Sequence, residues 1–134
     1  MNTTQKNNIL FIDDDTVAVA HSKSFLEKNL NVIVDIAHDG EKGLEMIATQ
    51  RKLYDLVILE ILVPKLNGVD LCESLCRNPK LRHIPVMLVS ILPVSGGIFA
   101  RSLKQHELFS MVRGVLEKPF TQEELVEKIV LLLS

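Results

Sequence analysis

Asp55-Leu56-Val57-Ile58-Leu59-Glu60-Ile61-Leu62-Val63-Pro64-Lys65-Leu66-Asn67-Gly68 is the stretch whose reading decides the fold. An apolar run of strand length ends in an acid, and a proline-containing loop then closes on Asn-Gly. A strand covered on both faces loses its polar alternation, and such strands belong to parallel sheets. The same grammar recurs on either side. Ile9-Leu10-Phe11-Ile12 leads into Asp13, Asp14 and Asp15, and Val115-Leu116-Glu117 leads into Lys118-Pro119-Phe120.

Working outward, the pattern predicts strands over residues 8–13, 32–37, 55–60, 85–90 and 111–117. Helices are expected over 15–30, 40–51, 69–77, 98–109 and 121–133. Asp15 suits an N-cap, Leu44, Ile47 and Ala48 fall at helical spacing, and Thr121-Gln122-Glu123-Glu124 fits a capping box. Five strand–helix units imply an α/β fold with a parallel sheet covered on both faces. Right-handed crossovers leave few topologies, but periodicity does not choose the strand order. The expected organisation is one domain over 8–134 behind a polar, disordered lead over 1–7. No repeat, linker or low-complexity tract interrupts it, and no output domain follows within the 134 residues.

Composition narrows the function classes. The net charge of −2 gives no global attraction to nucleic acid or anionic lipid. No apolar run approaches the roughly 20 residues of a membrane span, and the N-terminus lacks a signal-peptide core, so cytoplasm is the expected location. Cys72 and Cys76 stand four apart without a third thiol or imidazole nearby, which reads as packing rather than metal binding. His21, His38, His83 and His106 fall in different units and read as surface or loop residues.

In an open parallel sheet, ligands bind at the carboxyl ends of the strands. Asp13 and Asp14 end the first predicted strand, Glu60 the third and Ser90 the fourth, and Lys118 follows the fifth. Each alone has an ordinary explanation: an acidic pair caps a helix, a serine closes a turn, a Lys-Pro lies on the surface. Together and in order, they closely resemble the receiver domain of two-component response regulators, over residues 8–133. The resemblance implies a flavodoxin-like, CheY-like (βα)5 fold with strand order 2-1-3-4-5. It implies that Asp13 and Asp14 bind a metal, with Glu60 and the carbonyl of Leu62 completing the set. It also places Glu60 at the phosphoacceptor position, with Ser90 and Lys118 as phosphate-contacting switch residues. The Lys118-Pro119 bond is often cis in that family.

Three departures alter the expectation. The family's acceptor is an aspartate. The extra methylene of Glu60 moves the carboxylate by about one bond length, and in-line transfer depends on tight positioning. The longer side chain is expected to carry its charge outward to Ser90 and Lys118, partly imitating a phosphorylated aspartate. Val115 stands where receivers commonly place a switching aromatic ring. The stretch between Ser90 and Lys118 is longer than usual, with Leu92-Pro93-Val94-Ser95-Gly96-Gly97 supplying turn residues but no phosphate-binding loop.

The leading expectation is therefore a non-catalytic pseudo-receiver with weak magnesium binding at most. It would act through a protein partner or a second copy on the face of the fourth helix, fifth strand and last helix, with a histidine kinase as a further partner. A working receiver with Glu60 as an introduced mimic or unusual acceptor is the alternative. A flavodoxin-like binder lacks the Gly-rich loop and the aromatics. A magnesium-dependent phosphohydrolase has the local Asp13-x-Asp15 motif, but the chain is short for that class.

Overall fold

The computed structural model describes residues 5–49, 51–91 and 110–134. Five strands, β1 (Asn7–Ile12), β2 (Val32–Ala37), β3 (Leu56–Glu60), β4 (Val86–Ser90) and β5 (Val112–Glu117), form one parallel sheet. The order is β2-β1-β3-β4-β5, as the resemblance implied. Four helices are described: α1 (Thr16–Asn29), α2 (Gly40–Ala48), α3 (Gly68–Cys76) and the C-terminal α4 (Gln122–Leu133). The helix expected over 98–109 lies outside the described residues.

Period-two alternation within apolar strands builds the two faces. Leu10, Ile12, Val57, Leu59 and Leu88 point to one side and pack with Ile47 of α2 and Leu71 and Leu75 of α3. Ile9, Phe11, Ile58, Met87 and Val89 point to the other and pack with Val19 and Leu26 of α1 and Leu125 and Ile129 of α4. Both faces of β1, β3 and β4 are thus withdrawn from water, which is why these strands read as unbroken apolar runs.

Element ends follow local chemistry. The Asp15 side chain accepts from the Ala18 amide and starts α1. Thr121 and Glu124 form the reciprocal capping box at α4. The first strand begins at Asn7, one residue inside the lead expected to be disordered, because Asn7 pairs with Val32 and its amide donates to Asn31 O at 3.1 Å. The third begins at Leu56 rather than Asp55. Asp55 instead clasps the start of β1, its carboxylate accepting from the Asn8 amide at 2.7 Å and its amide donating to Asn8 O at 2.7 Å.

Candidate functional site at the strand ends

The sheet order reverses between β1 and β3, the switch point at which open α/β sheets bind ligands. β1 delivers Asp13 there and β3 delivers Glu60. Two close backbone approaches shape the loop after β3. The Gly40 amide donates to Pro64 O at 3.1 Å, and a Cβ on Gly40 would lie 1.7 Å from Leu66 O. The Gly68 amide turns back to Ile61 O at 2.8 Å, where a Cβ would stand 2.8 Å from the Ile61 Cα. Glycine is required at both positions because the neighbour is main chain. Within this loop Lys65 adopts φ 70°, the left-handed region, and its ammonium lies 3.6 Å from the Asp39 carboxylate.

From β5, Lys118 reaches back across the strand ends. Its amide donates to Ser90 O at 2.7 Å, joining the ends of β4 and β5, and its bond to Pro119 is cis. Its ammonium donates to Asp13 Oδ2 at 2.9 Å and stands 3.7 Å from Glu60 Oε2. The closer partner is thus Asp13. Glu60 is reached by charge alone, since 3.7 Å exceeds hydrogen-bond length, and its Oε2 is buried without a hydrogen-bond partner. Asp13 is anchored on its other oxygen, Oδ1 accepting from the Asp15 amide at 2.9 Å.

Glu60 is only 4% exposed. The expectation that its longer side chain would carry charge toward Lys118 is met at ion-pair distance, 3.7 Å, inside a buried pocket. Burial pushes its carboxyl above the ordinary range, Lys118 opposes this, and the charges of Asp13 and Asp14 add to it. For Lys118, burial favours the neutral amine. The Asp13 hydrogen bond and the charges of Asp13, Glu60 and Asp15 outweigh it and hold its pKa above the usual lysine value.

The remaining positions divide. Ser90 is fully buried. Asp14 is exposed, and Leu62 is half exposed. Val115 is half-buried against the core cluster of α2 and α3. His38, read from sequence as a surface or loop residue, is exposed in the bend after β2, and its Nδ1 lies 3.2 Å from Asp13 O. Its place just after β2, next to β1 in the sheet, was the available signal. Beside Lys118, a cavity of about 680 Å³ opens between α1 and the start of α4, edged by Asp15, His21, Phe120 and Gln122.

A five-stranded parallel sheet in this order, with an acid–lysine cluster at its switch point, defines a flavodoxin-like fold. Comparison with protein families matches residues 9–130 to the response regulator receiver domain, and the chain belongs to that family. It is 32% identical over 127 residues to the transcriptional regulatory protein CpxR of Escherichia coli (strain K12), a match covering 92% of this chain and 47% of that protein. The response regulator MprA of Mycobacterium ulcerans is 30% identical over 124 residues, with 90% and 47% covered. The chain thus spans about half the length of these relatives. Among solved structures, the receiver domain of a histidine kinase from Syntrophus aciditrophicus superimposes with a TM-score of 0.79 at 26% identity, covering 95% of this chain and 89% of that one.

Receiver domains typically hold magnesium at this site. The oxygen donors here suit a hard cation, but their arrangement does not. Both Asp13 oxygens are already hydrogen-bonded, one of them to an ammonium. Among the described residues, no three acidic, histidine or cysteine side chains converge closely enough to hold a metal. As arranged, these residues do not fit the ion.

Proposed function

We propose that this receiver domain signals without ordinary aspartyl phosphorylation and works by binding other proteins. The observation that carries the reading is the acceptor position itself. Glu60 is buried, one methylene longer than an aspartate, and faces an ammonium already committed to Asp13. In-line phosphoryl transfer needs an acceptor oxygen placed to within a fraction of an ångström, an approach for the donor and a cation to gather charge. Here Lys118 supplies positive charge to both carboxylates, a role a divalent ion plays elsewhere.

The output then rests on a surface formed without phosphate. Valine at 115 has no ring to swing between positions. β5 and α4 present Arg113, Glu117, Glu127, Val130 and Leu131 to solvent, a mixture of charge and apolar area suited to a protein partner or a second copy. The cavity beside Lys118 offers a histidine kinase a second approach. Neither reading calls on nucleic acid, and among the described residues no helix is long and apolar enough to cross a membrane.

The test is incubation with acetyl phosphate, or with beryllofluoride and magnesium, followed by intact mass and amide spectra. The parent chain is expected to gain no phosphoryl mass and to show no pocket shifts. Glu60→Asp is expected to bind beryllofluoride, because the shorter acceptor leaves room for an anion that draws Lys118 away from Asp13 and frees that carboxylate oxygen for magnesium. Phosphorylation of Glu60 in the parent chain would restore the reading of a working receiver. Failure of both chains would move the cause from acceptor length to the rest of the pocket.

A further inference from the structure

β2 is an outer strand of the sheet, and outer strands carry a row of main-chain groups open to pairing with another chain. The ladder fixes which groups these are. Asn7 N donates to Asn31 O, and Asp13 N donates to Ala37 O. Odd-numbered residues of this segment therefore face β1. By alternation, Val32, Val34 and Ile36 turn their amides and carbonyls to the free edge. Val34 is the middle one.

Both outward groups of Val34 are taken by side chains of α1. Glu27 Oε2 accepts from the Val34 amide at 2.9 Å, and the Lys23 ammonium donates to the Val34 carbonyl. The two side chains bond each other at 2.9 Å across one helical turn. The polarity is that of an added strand: an acceptor lies against the amide and a donor against the carbonyl. Stability alone is a weak reason for the pair, since its members are 38% and 34% exposed and such pairs contribute little. Glu27 nevertheless sits below the ordinary carboxylate range. Burial works against this and is outweighed by Lys23 and the Val34 amide.

We propose that the Lys23–Glu27 pair is a guard on the β2 edge, and that the partner it excludes is the β2 edge of a second copy. With the guard removed, two β2 strands meet antiparallel about Val34. The two Val34 residues then exchange both hydrogen bonds, the arrangement of a hydrogen-bonded antiparallel pair. The sheet would thereby extend through two molecules. Neither outward group of Val34 is left unsatisfied, because each lost side-chain contact there is replaced by main chain of the same polarity, and the half-exposed Lys23 ammonium returns to water. This does not depend on how Glu60 behaves.

Two variants of the full chain separate a guard from an ordinary helix-surface pair. Glu27→Ala removes the acceptor. The charge swap Lys23→Glu with Glu27→Lys keeps an ion pair on the helix but sets an ammonium against the Val34 amide and a carboxylate against its carbonyl. Amide exchange in dilute solution and sedimentation over a concentration series are the readouts, with circular dichroism to confirm that both variants fold. In dilute solution the Val34 amide is expected to exchange roughly tenfold faster in both variants, the loss of one charge-assisted hydrogen bond. On concentration both should dimerise and regain protection at Val34, while the parent chain stays protected and monomeric at that edge. A charge-swapped chain that matches the parent in both readouts would overturn the proposal. So would variants that remain monomeric at every concentration, or that associate without protection at Val34.

Discussion

Replacing Lys118 by methionine removes the positive charge while keeping most of the side-chain volume, and it tests the electrostatics of the pocket directly. The ammonium stands 2.9 Å from Asp13 Oδ2 and 3.7 Å from Glu60 Oε2. At an effective dielectric of about 20, these separations correspond to gross attractions of about 6 and about 4 kcal/mol. Desolvation of three charged groups offsets most of this. What remains when one partner is deleted is the cost of stranding buried carboxylates, about 3–5 kcal/mol. Lys118 is 23% exposed, so the lower end applies, and a loss of about 3 kcal/mol corresponds to a fall in Tm of roughly 10–15 °C. The pH dependence carries the sign. The folded-state pKa of Glu60 is already raised above its ordinary 4.5, so the folded chain takes up its proton more readily than the unfolded chain. The stability tied to Glu60 is therefore full below that ordinary value and declines as pH rises through the folded value. Without Lys118, which opposes the rise, Glu60 binds its proton still more readily, so the penalty should shrink steadily between neutral and mildly acidic pH. Glu60→Gln should rescue part of the loss, and the double variant should show a coupling of about 1–3 kcal/mol. Denaturant and thermal unfolding at several pH values measure all of this. A loss below about 1 kcal/mol at neutral pH, flat with pH and without coupling to Glu60, would refute the view that Lys118 compensates buried charge.

Gly40→Ala should cost about 1–3 kcal/mol or more, because the added carbon would meet the Leu66 carbonyl at 1.7 Å and main chain yields poorly; an unchanged melting temperature would contradict the packing. Cys72 is buried, with its thiol pushed up to about 12, so iodoacetamide at neutral pH should leave it unlabelled until the chain unfolds; peptide mass mapping under native and denaturing conditions checks this.

The fold was legible because each level of the sequence pointed the same way. Apolar runs without alternation gave strands covered on both faces, Asp15 and Thr121 gave helix starts, and the acids fell at strand ends. The boundaries were legible only to within a few residues. Asp55 reads as the first residue of the third strand because it adjoins the apolar run, yet its side chain and amide are spent on clasping Asn8, a contact 47 residues away in sequence. Strand order was beyond periodicity, since two strands of identical pattern exchange places without disturbing either face. It came from the resemblance, through the ordered set Asp13, Asp14, Glu60, Ser90 and Lys118.

Within the site one partnership was readable, the Glu60–Lys118 pair, and the closer one, Lys118 on Asp13, was not. Sequence brings Asp13, Glu60 and Lys118 to one edge, and from there two pairings compete for one ammonium. Reach alone favours glutamate, whose extra methylene extends toward β5. What reach omits is anchoring. Asp13 is held on Oδ1 by the Asp15 amide at the start of α1, so its second oxygen is fixed in place and binds Lys118 at little further loss of freedom. Glu60 has no such anchor on Oε2 and settles for a longer contact. The turn that precedes α1 thus bears on a contest at the end of β5. It leaves Glu60 Oε2 buried and without a hydrogen-bond partner among the described residues, at the position to which the family resemblance assigns the phosphoacceptor.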